Sequence, residues 1–459
     1  MRDGEARGAR VPRRSGHDLR LRGHRRGAGG ARLDQPRGQL RRRRGHRRRL
    51  RVQLTAQRAL LLASLLAGAV ASPSVATADA GQFDLYSTLF YEFGGPLEML
   101  VINPRANLRI DPADELTLNV SYDADIVSGA SVAIVDAPSA DVDAISSASL
   151  TDFRSVVTGG FQARSQYGSL RASYSYGFEN DYRSHSFTVG ARTDLFERNT
   201  TFDLSYARGF DQVCNLNQPR VQEAVERRRL DSSEGCFDDT DTDRASLDID
   251  LQTFQGSWTQ AWAPIFVTQA TVTAQLVDGF QSNPYRAVWL GRSAAQENHP
   301  EHRFRYAGAL AARLWIEPLS GALQASGRAY RDNWDVRSIT AELAYEQSID
   351  GALRFRVRGR YYRQGAAAFF SDDYALRPRG QYFTGDRELS DMESYLAGAQ
   401  LIWTVTPGSE GASLGPFQSF RLVLAGAFVH HEFPSFRYGR VGVPNNNSIN
   451  ATLGLEVVF

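Results

Sequence analysis

Apolar and polar residues alternate with a period of two along most of the sequence beyond position 80. In the stretch 168–180, Leu170, Tyr174 and Phe178 fall on one side of an extended chain, and Arg171 falls on the other. Successive side chains of a β-strand point to opposite faces, whereas a helix repeats every ~3.6 residues. Helical periodicity is scarce here, and the pattern therefore predicts an all-β fold.

Sixteen stretches share this alternation, and each is at least 11 residues long. They cover residues 83–93, 97–110, 114–126, 150–165, 168–180, 182–196, 199–211, 246–262, 265–278, 303–317, 319–332, 335–349, 351–364, 391–406, 417–432 and 447–459. Strands of soluble proteins average about 5–6 residues, whereas tilted strands of about 9–11 residues cross a bilayer. The lengths predict a transmembrane antiparallel up-and-down β-barrel of about 16 strands.

Two alternatives to this architecture stay open at this point. Fourteen strands is the first, because Gly94, Gly95 and Pro96 are also compatible with a bulge inside one longer strand. A soluble exported all-β protein is the second.

The connections between the stretches sort by length. Five are long, and all of them follow odd-numbered strands: 127–149, 212–245, 279–302, 365–390 and 433–446. Outer-membrane barrels have short periplasmic turns and longer extracellular loops. A barrel whose first strand begins in the periplasm would therefore carry all five long connections on its extracellular side. Among the connections after even-numbered strands, which should be short, only 407–416 is not.

The first 78 residues follow a different pattern. Residues 51–78 are typical of a secretory signal peptide, because the apolar run 59–71 follows a basic stretch and precedes small residues suited to cleavage. Residues 1–50 are rich in Arg and Gly, and we interpret them as a mis-assigned or disordered leader, with a nucleic-acid-binding arm as the alternative. The barrel is predicted to occupy residues 79–459.

The charge of the chain divides at the same place. The 459 residues carry a formal net charge of +2, and every basic residue is Arg. Residues 1–51 hold 19 Arg against four acids, so the part beyond residue 78 has a net charge of −14. An acidic exported barrel argues against nucleic acid as a partner.

Two neighbouring strands carry charged residues on the face predicted to line the lumen. These residues are Glu342, Glu346, Arg354, Arg356, Arg358 and Arg360. Opposite charges on adjacent strands stabilise a sheet by about 0.2–1 kcal/mol per pair. The rows are either a charged pore wall that selects solutes or a self-neutralising ladder that only holds the barrel together. A barrel of about 16 strands is wide enough for an aqueous channel unless loops plug it.

The connection 212–245 contains both cysteines of the chain, Cys214 and Cys236. An oxidising periplasm favours a disulfide between them. The same connection contains residues 219–230, which we predict to form a short surface helix, and an acidic cluster at 238–243. The cluster could bind Ca²⁺, but it lacks the Gly and the distal Glu of an EF-hand loop. We therefore favour a solvated loop.

The sequence contains no catalytic or cofactor motif in the structural context that its chemistry needs. The segments 299–302 and 430–432 combine His with Glu, but neither has a standard zinc spacing. The G-x-S-x-G pattern of a serine hydrolase occurs once, at 411–415, but it lies in a Gly- and Ser-rich connection and not between a strand and a helix, where a hydrolase nucleophile lies. We expect a protein that is not an enzyme and that needs no cofactor or metal; a membrane-embedded hydrolase is the low-weight alternative.

The last strand ends on an aromatic residue. Leu455, Val457 and Phe459 fall on one face of this strand, and this ending resembles the signal read by the bacterial barrel-assembly machinery. We therefore expect two partners, that machinery and outer-membrane lipid, after export to the bacterial outer membrane. A homo-oligomer stays open, by analogy with other 16-stranded barrels.

Five blocks of sequence share their order and spacing with one family. Their residues are Asp125, Ser128, Gly129, Ala130 and Ser131; Pro300 and Glu301; Tyr330, Arg331 and Trp334; Tyr361, Tyr362 and Gln364; and 385–390. Together the blocks resemble bacterial outer-membrane barrel proteins catalogued as domain of unknown function 3570. The resemblance implies a barrel in the outer membrane and implies no activity. Val132 departs from the family pattern, which often has Pro there.

The sequence thus leaves two main hypotheses for function. The first is a channel or porin-like passage for small solutes. The second is a non-conducting structural or surface-interaction barrel.

Overall fold

The computed structural model of the chain describes most of the predicted barrel. The described residues are 80–94, 98–129, 132–133, 145–146, 151–179, 181–216, 221–222, 237, 244–284, 287–289, 294–374, 380–406, 417–438, 441–442 and 446–459. The predicted leader 1–50 and signal peptide 51–78 lie outside these residues.

Sixteen long strands form one closed antiparallel barrel. Named β1 to β16 in chain order, they are Ala80–Phe93, Met99–Ala113, Leu116–Gly129, Thr151–Ser165, Gly168–Phe178, Tyr182–Leu195, Thr200–Leu216, Arg244–Ala263, Phe266–Gly279, His302–Ile316, Gly321–Asp332, Arg337–Ile349, Leu353–Gln364, Met392–Val405, Ser419–Glu432 and Asn446–Val458. Each strand pairs with its neighbours along the chain, and β16 pairs with β1. The predicted fold class and strand number are confirmed, and the fourteen-strand alternative is wrong because β1 and β2 are separate paired strands.

Each barrel strand has one apolar and one polar face. On β12 and β13, Leu343 lies opposite Gly359 on the apolar face, and Glu342 lies opposite Arg360 on the polar face. Every pair of neighbours around the ring is antiparallel, and the register is shifted only at Ile110/Ala113 between β2 and β3 and at Ala261/Ala263 between β8 and β9. The apolar face points outward, and the polar face lines the lumen.

The outward face is built for lipid. Its large apolar side chains are strongly exposed, for example Leu170 (63%), Leu204 (64%), Val272 (65%) and Leu310 (68%). Soluble proteins rarely expose a continuous apolar surface of this extent. The 14 residues of β1 span about 46 Å along the strand, and about 33 Å along the bilayer normal at a tilt of about 45°. This span matches a hydrocarbon core of about 30 Å, so the barrel is a membrane-spanning one.

The connections separate by length at the two ends of the barrel. The long ones follow β3, β7, β9, β13 and β15, as predicted, and we call their side the loop end. The opposite side, the turn end, holds short reversals that use left-handed residues such as Ser320 (φ 46°) and Asp350 (φ 58°). The turn end also holds the connection 406–418, and β1 begins and β16 ends there.

The connections between the barrel strands contain short strands and 3-10 helices. They are the strands Val132–Ala133, Ile145–Ser146, Val221–Gln222, Ala287–Trp289, Ala294–Gln296, Arg437–Tyr438 and Val441–Gly442, and the 3-10 helices Glu317–Leu319 and Arg387–Leu389. The predicted surface helix over 219–230 is wrong at Val221–Gln222, which pairs with Ala294–Gln296 in an antiparallel sheet. The rest of that segment lies outside the described residues. Across the described ranges, no helix combines the length and apolar character needed to cross a membrane.

Candidate functional site: the barrel lumen and its loop end

The inner face of β2 to β7 carries arginines that are each paired with a carboxylate. The closest pairs join Arg105 to Asp123 and Arg171 to Asp203, both at 2.6 Å. The other inward arginines of this wall also have an acidic partner, and they are Arg109, Arg154, Arg164 and Arg192. This side of the lumen is therefore close to neutral, as a self-neutralising ladder would be.

The charged residues predicted to line the lumen lie on β12 and β13 and share one face of the sheet. Glu346 lies 3.9 Å from Arg354 and 3.5 Å from Arg313 of β10. Glu342 lies 3.8 Å from Arg356. Two carboxylates thus face the four arginines of β13 and Arg313 of β10. The two carboxylates therefore neutralise only part of the row.

The wall formed by β10 to β13 carries excess positive charge. Its inward arginines are Arg303, Arg305, Arg313, Arg328, Arg354, Arg356, Arg358 and Arg360, against the carboxylates Asp332, Glu342 and Glu346. Among the described residues, four of these arginines have no acidic partner: Arg305, Arg328, Arg358 and Arg360. In the ring of sixteen strands this wall lies nearly opposite the paired wall of β2 to β7.

The lumen between these walls is open to water. The side chains of Arg105, Arg192 and Arg313 point inward, yet they are 59%, 50% and 56% exposed. An inward side chain of a closed barrel is exposed to the lumen, or to its mouth where the side chain lies near a strand end, as Arg192 and Arg313 do. The lumen is therefore not filled by side chains at these positions.

The loop end has an apolar core of its own. Seven buried residues form it: Trp334, Val336, Ala367, Phe370, Leu389, Phe433 and Phe436. A second cluster joins Val288 and Ala295 to Tyr374 and Phe383. We name the described parts of 280–301, 333–336, 365–391 and 433–438 the loop cap. Since its segments come from four separate connections, the loop cap is a folded assembly rather than a set of independent loops.

Asp332, at the end of β11, joins the loop cap to the barrel. Its side chain is fully buried, and it pairs with Arg303 of β10 at 2.5 Å. It also accepts hydrogen bonds from the Tyr330 hydroxyl (2.8 Å) and from the backbone N–H groups of Trp334 (3.0 Å) and Val336 (2.9 Å). One carboxylate thus satisfies the turn between β11 and β12 and a buried guanidinium together. The Arg303 guanidinium also lies 3.9 Å from the centre of the Trp334 ring, a cation–π contact.

Arg387 holds the loop cap against the inner face of β1. Its guanidinium lies 2.7 Å from the carboxylate of Glu92, and both side chains are about nine-tenths buried. The Asn446 amide donates a hydrogen bond to the same carboxylate, and the Arg387 guanidinium lies 4.9 Å from the Phe433 ring. Because β14, β15 and β16 lie between β13 and β1, the connection 365–391 crosses their inner faces to reach Glu92. The loop cap therefore covers this side of the mouth.

Two further contacts join the inter-strand segments 280–301 and 365–391. Asn298 and Phe383 exchange backbone hydrogen bonds of 3.0 and 2.9 Å. The Thr384 hydroxyl donates a hydrogen bond of 2.8 Å to Glu297. On the other side of the cap, the Arg437 guanidinium lies 2.6 Å from Asp372, and this hydrogen bond raises the pKa of Arg437.

Most residues of the family blocks lie at the loop end. Tyr330 and Trp334 belong to the Asp332 network, and Gln364 donates to the backbone carbonyls of Glu388 and Ser390, both at 2.8 Å. The remaining positions are Asp125, Ser128 and Gly129 at the end of β3, Pro300 and Glu301 before β10, Arg331 at the end of β11, and Tyr361 and Tyr362 on β13. Ala130 and Ser131 lie outside the described residues.

The remaining predicted sites have simpler surroundings. Cys214 is buried near the end of β7 (1% exposed), while Cys236 and the acidic cluster 238–243 lie outside the described residues, so the disulfide and the solvated acidic loop stay predictions. In the part of the chain that the structure describes, no group of three or more His, Cys, Asp or Glu is placed to hold a metal ion.

The terminal strand closes the barrel. Leu455 and Val457 lie opposite Leu85 and Phe83 of β1. The backbone of Phe459 exchanges hydrogen bonds of 2.9 and 3.0 Å with Gly81. A side chain at Gly81 would collide with the Phe459 ring, so the glycine leaves room for the terminal aromatic residue.

The fold and the lumen together define a membrane-spanning β-barrel with a water-accessible, charged interior. By its sequence the chain belongs to the family described as Protein of unknown function (DUF3570), which it matches over residues 53–414. No curated protein matches the sequence.

Among solved structures, the chain is similar in fold to three outer-membrane proteins. The first is a "Bacterial polysaccharide outer membrane secretin" (8% identity, TM-score 0.42, covering 82% of this chain and 97% of that one). The second is the outer membrane protein OprD from Pseudomonas aeruginosa (9% identity, TM-score 0.38, 84% and 97%). The third is Pseudomonas aeruginosa OccK2 (OpdF) in complex with glucuronate (10% identity, TM-score 0.37, 82% and 98%).

Proposed function

We propose that this protein is a passive outer-membrane channel for small polar solutes. The observation that carries the proposal is the exposure of inward side chains, above all Arg105 (59%) and Arg313 (56%), inside a closed barrel. Sixteen strands spaced ~4.8 Å apart and tilted by ~40° form a ring about 32 Å across between opposite backbones. Side chains on both walls still leave room for an aqueous path.

The route to the membrane is part of the same proposal. Residues 51–78 direct export, and Leu455, Val457 and Phe459 present the terminal signal to the barrel-assembly machinery. The outward apolar face then contacts outer-membrane lipid, and the loop end faces the cell exterior. In that oxidising environment Cys214 pairs with Cys236 and restrains the long connection after β7.

The loop cap supports a second candidate function, a barrel that binds partners at the cell surface. Its buried core and the Arg387–Glu92 contact give the mouth a defined shape on the side of β14 to β16. A cap that closed the rest of the mouth would make the barrel non-conducting.

Conductance separates these two functions. The full mature chain, folded in detergent and inserted into planar bilayers, is expected to give stable unitary currents in KCl. Liposomes that carry it should swell in small neutral sugars and resist larger ones. Folded protein that inserts, as judged by heat-modifiable gel migration, but passes neither ions nor sugars would contradict the channel and support the surface function.

A further inference from the structure

A small polar niche lies in the lumen wall between β13 and β16. It has a volume of about 270 Å³ and is lined by Arg356, Arg358, Gln400, Ala425, Ala427, Asn450 and Thr452, together with backbone of β14 and β15. The register aligns these residues in two rows across four strands. One row runs from Arg356 through Gln400 and Ala425 to Thr452, and the other runs from Arg358 through Gly398 and Ala427 to Asn450.

Small residues in the middle of the rows create the niche. Gly398, Ala425 and Ala427 project little from the wall, whereas Arg356 and Arg358 on one side and Asn450 on the other project further. A Cβ atom at Gly398 would lie 3.4 Å from the Nε atom of Arg358, so this guanidinium lies against the glycine. The wall thus has a floor of small side chains with cationic groups at one edge and neutral polar groups at the other.

The charges at the cationic edge are only partly satisfied by the protein. Among the described residues, Arg358 and its neighbour Arg360 have no acidic partner, and both are exposed to the lumen. Arg356 lies 3.8 Å from Glu342 and donates a hydrogen bond of 3.4 Å to Gln324, so its charge is partly satisfied. The side-chain amides of Gln400 and Asn450 likewise have no hydrogen-bond partner within the described part of the chain.

We propose that this niche binds a small organic anion with one or two carboxylate groups as it passes through the barrel. The guanidinium group presents paired N–H donors in the geometry of a carboxylate. Arg356 and Arg358 are two residues apart on one strand face, about 6.6–7 Å, which suits the two carboxylates of a four-carbon diacid. The amides of Gln400 and Asn450 can bind further oxygens of the same solute. This inference rests on the proposed channel and names its solute class.

Succinate is a suitable probe, with its uncharged dimethyl ester as the matched neutral compound. Binding to the folded, full mature chain in detergent can be followed by ligand-observed NMR, which does not depend on conduction, at ~0.15 M salt, where the Debye length is about 8 Å. Succinate should bind and the ester should not. Arg358→Gln should weaken succinate binding about tenfold, the effect of losing one charge-assisted contact.

Two matched controls separate the niche from the general charge and width of the lumen. Arg105→Gln removes the same charge from the opposite wall and should leave succinate binding within about twofold of wild type, since this long-range field is largely screened. Ala425→Leu fills the niche without changing charge and should abolish binding. Ala309→Leu makes the same change on the inner face of β10, away from the niche, and should not.

Bilayer recordings in parallel distinguish failure of the niche from failure of the channel. In wild-type channels succinate should reduce the chloride current, and Ala425→Leu should remove that block while currents remain. If succinate fails to bind, or if Arg105→Gln weakens binding as much as Arg358→Gln, the niche is overturned whatever the currents. Selective binding without any current would support the niche and overturn the proposed channel.

Discussion

Replacing Asp332 by Asn tests whether one buried carboxylate holds the loop cap to the barrel. The shape of the side chain is kept, but one of its two oxygens becomes an NH₂ group. In the wild-type protein, one oxygen of Asp332 accepts hydrogen bonds from the N–H groups of Trp334 and Val336. The other oxygen accepts from Arg303 and from the Tyr330 hydroxyl. In either orientation of the Asn side chain, its NH₂ group therefore faces groups that are themselves hydrogen-bond donors.

The cost follows from the burial of the pair. The side chain of Arg303 is 11% exposed and that of Asp332 is fully buried, so the substitution leaves a buried guanidinium without its counter-charge. Removing one partner of a buried ion pair costs about 3–5 kcal/mol. The backbone N–H groups lose an acceptor in addition, unless the turn opens to water. We therefore expect local opening of the turn between β11 and β12 to become easier by at least about 3 kcal/mol.

Hydrogen exchange measures this quantity directly. Amides of the peptide that contains Trp334 and Val336 should exchange about 100-fold faster in Asp332→Asn, since about 1.4 kcal/mol is a factor of ten. Asp335→Asn is the control, because Asp335 lies in the same turn but is exposed, and its φ of 67° suits Asn equally well. Equal exchange in the two variants would refute the reasoning, as would faster exchange spread through the strands far from the loop end.

Further variants test other parts of the molecule. Arg387→Gln should increase the unitary conductance in planar bilayers, because it removes the contact with Glu92 that holds the loop cap over the mouth. The control Glu92→Asp keeps a carboxylate and should leave the conductance closer to wild type. Unchanged conductance in Arg387→Gln would contradict a cap that narrows the mouth. Leu343→Arg puts a charge on the lipid face, and urea titration in lipid should find the barrel less stable by about 2–4 kcal/mol if the residue lies near the bilayer midplane; no loss would mean that this face does not contact lipid. Cys214→Ser should make the connection after β7 more sensitive to protease, and reduction of the wild-type protein should raise the sensitivity equally. If no disulfide forms, neither change will affect cleavage. Deletion of Phe459 removes backbone hydrogen bonds to the start of β1 and should lower the yield of heat-modifiable barrel in the outer membrane. An unchanged yield would mean that the residue plays no part in assembly.

The strands were predictable because a membrane imposes a strict pattern on them. One face of every strand must be apolar and every backbone group must be paired, so alternation alone identifies the strand and its two faces. The prediction was least accurate where the constraint ends. The seventh strand was predicted to stop at 211, but β7 continues to Leu216 and pairs with β8 through residues such as Gln212 and Asn215. Val213 and Cys214 are adjacent and both buried, so the alternation of apolar and polar residues is lost there although the backbone ladder continues.

The loop cap was beyond sequence analysis for a physical reason. Trp334 and Phe436 pack in one cluster although they are about a hundred residues apart, and connections carry no period that reports such contacts. The partnership of Glu92 with Arg387 is hidden in the same way. In the lumen, the row of four arginines on β13 could be predicted from the sequence. Which of them lie close to Glu342 and Glu346 depends on side-chain directions that the sequence does not give. Arg358 and Arg360 are left over, and only the coordinates identify them.

The seam between β1 and β16 has a consequence for how the chain can fold. These strands lie at opposite ends of the barrel sequence, and they pair in register from Gln82 with Val458 to Phe93 with Asn447. A nascent or truncated chain that lacks β16 keeps two unpaired edges, and each bare backbone group in hydrocarbon costs several kcal/mol. Insertion of a closed barrel therefore requires that the last strand has been made. The seam makes the barrel intolerant of early termination, and stalled products stay on the aqueous side of the membrane, where proteases can remove them.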